Sequence, residues 1–142
     1  MKNSLVSLLL FVLAGSVQAQ LIPANQVPVL VLNTLKKQHP QARNLQWERS
    51  APYYEAVFTL NNNHRAIKFD TQGRVAETEV GIPIGTLRVS IAQYMKKHYP
   101  AERIQAAETV TKANGGESYE IRITGMEIVF NAAGTFLNEE KD

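Results

Sequence analysis

Apolar and polar positions alternate along two stretches of this chain, Tyr54 to Gly73 and Tyr119 to Gly134. In the first, Tyr54, Ala56, Phe58 and Leu60 fall on one side and meet Ile67 and Phe69 across the polar link Asn61-Asn62-Asn63-His64. Glu55, Thr59, Lys68 and Asp70 fall on the other side. In the second, Tyr119, Ile121 and Ile123 match Ile128 and Phe130, against Glu120, Arg122, Thr124 and Glu127. Period-two alternation of this kind predicts antiparallel strands with one buried face, and a slip of one residue would drive carboxylates into the core. Phe69 and Phe130 are 61 residues apart (130 − 69), and Tyr54 and Tyr119 are 65 apart (119 − 54). The pattern therefore predicts a duplicated hairpin unit.

Each hairpin follows a helical pattern. A helix beginning at Asn25 or Gln26 takes Pro28 in its first turn, carries Val27, Val31, Leu32 and Leu35 on one face, and stops at Pro40. A second, from about Pro83 to His98, carries Ile84, Leu87, Ile91 and Tyr94 or Met95. Lys36-Lys37-Gln38-His39-Pro40 and Lys96-Lys97-His98-Tyr99-Pro100 close them alike, an internal match independent of the hairpins. Asn44 to Arg49 reads as a strand pointing Leu45 and Trp47 inward, Arg74 to Val80 as another, then Ile104 to Thr111 and a short last strand at Thr135 to Leu137. Asp70-Thr71-Gln72-Gly73 reads as a tight turn. The prediction is an α+β protein: a tandem repeat of helix plus four-stranded antiparallel meander, forming a continuous sheet of about eight strands with both helices on one face. Repeat one spans 25–80, repeat two 81–137, and 138–142 is a charged, frayed tail.

The first 19 residues stand apart. Lys2, the apolar run Leu5 to Ala14, and the small residues Val17 and Ala19 have the layout of a secretory signal peptide cleaved between Ala19 and Gln20. Residues 20–142 then form a single exported domain, periplasmic or secreted, with no stable membrane insertion. The chain has no cysteine, so disulfides and a lipid-modified cysteine are excluded. Its net charge is +2, with lysines and arginines scattered rather than clustered, which argues against nucleic acid.

Val27-Pro28, Leu35-Lys36-Lys37-x-x-Pro40, Trp47-Glu48, Tyr54-Glu55-Ala56-x-Phe58 and Phe69-Asp70-x-x-Gly73 resemble the PepSY-like, beta-lactamase-inhibitor-like family of small exported bacterial proteins. Ile82-Pro83, Lys96-Lys97-His98-Tyr99-Pro100, Tyr119-Glu120 and Phe130-Asn131-x-x-Gly134 follow in the same order, so the resemblance runs from about Gln26 to Leu137. It implies a tandem helix-plus-sheet layout like that of beta-lactamase inhibitory protein, no known catalysis, and an open sheet face that binds. The second copy departs from the first in having Asn131 for Asp70 and no tryptophan matching Trp47.

Catalytic and metal chemistry find little support in the residues. His39, His64 and His98 lack zinc-ligand spacing, and Ser50, Ser90 and Ser118 lie in no Gly-x-Ser-x-Gly elbow. Asp70-x-x-Gly73 and Asn131-x-x-Gly134 lack the alternating oxygens of a calcium loop. Glu77 and Glu79 share a strand face and read as solvated, with nothing apolar nearby to raise a pKa. No catalytic residue, cofactor or metal is expected. The outward set Tyr53, Glu55, Val57, Lys68, Glu120, Arg122, Glu127 and Val129 is the candidate partner-binding sheet face. The expected function is a non-enzymatic binding module for a protein or peptide of the cell envelope, inhibition of an envelope enzyme being one form of it. The alternative is a small-ligand sensor or carrier with a pocket between helices and sheet.

Overall fold

The computed structural model describes residues 19–141. The signal-peptide expectation for 1–19 falls, apart from Ala19, outside the described residues. The sheet begins with β1 (Gln20–Ile22), β2 (Arg43–Ser50), β3 (Tyr53–Leu60), β4 (Asn63–Phe69) and β5 (Val75–Gly81). It continues with β6 (Ala106–Lys112), β7 (Glu117–Ile123), β8 (Met126–Asn131) and β9 (Phe136–Lys141). Two helices, α1 (Val29–Gln38) and α2 (Val89–His98), lie before β2 and before β6. The strands form one nine-stranded sheet in sequence order, every neighbouring pair antiparallel. The α+β tandem architecture holds. None of the described helices is long and apolar enough to cross a membrane.

The expected eight strands become nine because Gln20–Ile22, taken from the sequence as a lead-in, pairs with β2. This strand has a counterpart. Ile22 lies opposite Trp47, and the Ile82 N–H reaches the Ala107 carbonyl at 2.8 Å, so Ile22-Pro23 in the first half and Ile82-Pro83 in the second enter the sheet alike. The end of β5 thus serves the second repeat as β1 serves the first. The expected frayed tail is also corrected: Asn138 to Lys141 continues β9, and its exposed charges discourage pairing with another sheet edge.

Both helices start later than the sequence pattern suggests. A short 3-10 turn at Ala24–Gln26 precedes α1, and Val27 is extended because the residue before a proline is disfavoured in the helical region. Pro28 caps α1 rather than sitting inside it, its carbonyl accepting from the N–H groups of Val31 and Leu32. In the second repeat Leu87 and Arg88 adopt the same extended geometry without a proline, and Ile84, expected in the core, is 44% exposed in the 3-10 turn.

Val31 and Leu35 of α1 pack on Trp47, Tyr54, Ala56, Phe58, Ile67 and Phe69, while Ile91 and Met95 of α2 pack on Ala107, Ile121, Ile123, Ile128 and Phe130. Ala107 stands in register where Trp47 stands in the first half, opposite Ile121 as Trp47 is opposite Ala56. Each fully buried side chain of this kind contributes about 1.5–3 kcal/mol by leaving water. Both cores lie on one side of the sheet. Leu45 is a correction: it is 42% exposed, because Asn44 takes φ +54° and a bulge between Arg43 and Gln46 breaks the alternation that would have turned it inward. The Asp70 and Asn131 turns are as expected, each side-chain oxygen accepting two backbone N–H groups, with Gly73 and Gly134 at φ +76° and +82°.

Candidate functional site

The second face of the sheet is covered by no described element. Residues from β2 to β9 line one open cavity of about 850 Å³ on it, so the sheet curls and this face is concave. Strict alternation along the strands sends Glu48, Glu55, Val57, Ala66, Lys68, Glu77, Glu79, Glu120, Arg122, Glu127 and Val129 into the basin. Of the outward set, Glu55, Val57, Lys68, Glu120, Arg122, Glu127 and Val129 line it, whereas Tyr53 sits beside the β2–β3 hairpin and does not. Eight glutamates and three permanent cations, Lys68, Lys112 and Arg122, line the cavity, so this face is acidic although the whole chain carries +2.

Cross-strand register arranges these charges in two equivalent rows. In the first half Glu48 lies opposite Glu55, Glu55 opposite Lys68, and Lys68 opposite Glu77. In the second, Glu108 lies opposite Glu120, Glu120 opposite Val129, and Val129 opposite Asn138. The Lys68 ammonium donates to Glu77 at 2.6 Å and to Glu79 at 3.2 Å, and lies 3.9 Å from Glu55. Burial would lower the pKa of Lys68, but the hydrogen bond to Glu77 and the fields of Glu79 and Glu55 outweigh it and push it up. In the second half Arg122 reaches Glu127 at 3.6 Å and Glu108 at 3.7 Å, and His64 stands 3.3 Å from Glu108. None of the ion pairs among the described residues includes Glu120.

Glu79, Glu108 and Glu120 converge from β5, β6 and β7, each offering a carboxylate oxygen within 4.8 Å of the others. These are the residues able to share one cation. Glu108 is only 4% exposed. Burial raises the pKa of Glu79 to about 7, against the opposing field of Lys68. Burial and then the charges of Glu127, Glu79 and Glu77 raise that of Glu120 to about 8. Glu55 and Glu127 are raised as well, burial being the main cause in both.

The solvated reading of Glu77 and Glu79 is corrected here. Their side chains are 17% and 12% exposed, and Glu79 lies in register between Ala66 and Val110, whose apolar walls displace water. Sequence reasoning also passed over Glu108, although Trp47-Glu48 and Ala107-Glu108 are aligned once the hairpins are superimposed. The histidines are dispersed: His39 packs on Phe58, His98 stacks on Tyr94, and His64 alone approaches the basin.

The sequence profile of the family described as "Putative beta-lactamase-inhibitor-like, PepSY-like" matches residues 16–76 and 52–138. No curated protein matches the chain. A solved structure from Bacteroides eggerthii, described as a putative periplasmic protein, is similar at 18% identity and TM-score 0.70, covering 81% of this chain and 88% of its own. A DUF2874 family protein from Bacteroides uniformis gives 18% identity and TM-score 0.69 over 81% and 89%. A BLIP-like protein from Bacteroides fragilis gives 20% identity and TM-score 0.62 over 84% and 87%. At such identities these structures speak to the fold. With its two matched segments together spanning nearly all of the described residues, the chain belongs to the PepSY-like, beta-lactamase-inhibitor-like family.

Proposed function

We propose that this protein is an exported, non-enzymatic binding module that holds a protein or peptide segment of the cell envelope across its open sheet face. The observation that carries this is the concave, acid-lined cavity of about 850 Å³ on a face that no element covers. Its floor carries Val57 and Ala66 on β3 and β4 and Val129 on β8 among the charges, the mixture of apolar and polar area that partner surfaces have. Inhibition of an envelope enzyme is one consequence such capture could have. The description of similar structures as periplasmic supports the location. A small-ligand pocket between helices and sheet is disfavoured, because Val31, Phe69, Ile91 and Phe130 fill that layer at 0% exposure.

Selection of binders from a random peptide library, followed by backbone amide shift mapping, tests the role. Shifts centred on Val57, Ala66, Lys68 and Val129 are expected. Binders that map instead to the exposed sides of α1 and α2 would overturn it.

A further inference from the structure

The two helices present matching side chains to water. Val31 and Leu35 of α1, and Ile91 and Met95 of α2, are buried against the sheet. At about 100° per residue, Val29, Asn33, Lys36 and Lys37 therefore fall on the far side of α1, and Val89, Gln93, Lys96 and Lys97 on the far side of α2, all of them exposed. Both of these outer faces lie on the side of the sheet away from the acidic basin.

Helix stability alone does not select such a surface. The positive end of the helix dipole favours Asp or Glu in the first turn, yet neither helix has an acidic residue there or anywhere along its ten residues. Val29 and Val89 occupy the first position instead, 68% and 71% exposed, with Leu30 beside Val29 also in water. The lysine pairs suit the negative end of each helix, but none of these four ammonium groups has a carboxylate partner among the described residues. On the sheet face, by contrast, Lys68 and Arg122 are ion-paired. Asp70 is engaged by Arg74, and Glu139 accepts from the Tyr99 hydroxyl. Charge is thus segregated: carboxylates gather on the sheet face, and unpaired ammonium groups share the helix side with exposed apolar side chains.

We propose that the helix side docks on the surface of an anionic phospholipid bilayer. The lysine pairs meet headgroup phosphates, while Val29, Leu30 and Val89 reach the boundary between headgroups and acyl chains. The acidic sheet face, repelled by the same surface, is turned away from it. Charge complementarity selects this occupant, and the exposed apolar side chains favour a bilayer over a soluble polyanion, which offers negative charge but no apolar layer. The docking is peripheral, none of the described helices being long and apolar enough to cross a membrane. It goes beyond the binding role proposed above and does not depend on it.

The test is co-sedimentation of residues 20–142, which carry every described strand and helix, with vesicles of mixed phosphatidylglycerol and phosphatidylcholine and with vesicles of phosphatidylcholine alone. Binding is expected only to the anionic vesicles, weakening as salt is added. At about fivefold per lysine, Lys96→Gln with Lys97→Gln should weaken it by about tenfold or more, whereas Lys112→Gln on the sheet face should change it by less than about twofold. Val29→Glu with Val89→Glu gives each helix the first-turn carboxylate that its dipole favours. The melting temperature should therefore hold or rise while vesicle binding falls by about tenfold or more, which separates docking from folding. Equal binding to neutral vesicles, no binding to anionic ones, or indifference to both pairs of substitutions would overturn the proposal. Binding of heparin without binding of vesicles would assign the face to a soluble polyanion and overturn it too. Each of these failures leaves the sheet-face role standing, because the peptide mapping reads the opposite side of the sheet.

Discussion

Replacing Glu120 with glutamine should stabilise the protein at alkaline pH and do much less in mild acid. The carboxyl of Glu120 titrates at about 8 in the fold against an ordinary 4.5, raised by burial and then by Glu127, Glu79 and Glu77. A group whose folded pKa is raised contributes stability that is fully present below its unfolded pKa and is lost as pH rises through the folded value. The window is therefore about pH 4.5 to 8. At about 1.36 kcal/mol per pH unit, the full gap would correspond to roughly 5 kcal/mol, and partial solvent contact brings this to about 2–3 kcal/mol. Glutamine stays neutral throughout. Urea unfolding at pH 5 and pH 8.5 should show Glu120→Gln gaining about 2–3 kcal/mol more at the higher pH. His39, lowered by burial and then by Arg65, has the opposite sign, as has Asp70, lowered by its hydrogen bonds to Arg74 and Gln72, but both are common to the two proteins and cancel. An equal effect at both pH values, or destabilisation at pH 8.5, would refute the reasoning.

Lys68→Met should cost about 1–3 kcal/mol at pH 7, because it strands Glu55, Glu77 and Glu79 together in a partly dry basin; chemical denaturation measures this, and an unchanged midpoint would count against the network. Phe69→Ala and Phe130→Ala remove equivalent, fully buried rings and should each cost about 3–5 kcal/mol, with similar values if the halves carry comparable cores. Gly73→Ala should lower the melting temperature, since Gly73 has φ +76° and an added Cβ would lie 2.8 Å from the Leu30 carbonyl oxygen; an unchanged transition would contradict the tight approach of the turn to α1.

The parts of the fold written in the sequence are those set by side-chain period. Tyr54, Ala56 and Phe58 against Ile67 and Phe69 form a register visible in the alternation alone, and Lys36-Lys37 and Lys96-Lys97 mark equivalent helix ends. Where the backbone leaves its period, the sequence misleads: the bulge at Asn44 turns Leu45 outward, and Pro28 divides what looks like one helix into a 3-10 turn and α1. Three-residue β1 is too short to show alternation, and only its likeness to the Ile82-Pro83 segment betrays it.

The outward face was legible as a set because one face of each strand must point somewhere. Its electrostatics were not. Glu79 looks solvated on its own strand, and its perturbed state comes from burial beside Ala66 and Val110 on neighbouring strands and then from Glu55 and Glu108, which lie 24 residues earlier (79 − 55) and 29 later (108 − 79). The difference between Lys68 and Val129 lay in plain view, but it acquires meaning only when register places each beside Glu55 or Glu120.

The central claim is that the open face is an acidic basin in which Glu55 has Lys68 opposite it while Glu120 has Val129. Carbon-detected titration of the glutamate carboxyls in the free protein tests it most directly. Glu120 and Glu79 should titrate near pH 8 and 7, and Val129→Lys should bring Glu120 down towards 4.5. Ordinary carboxylate titration of both groups, or no response of Glu120 to the introduced lysine, would contradict the account.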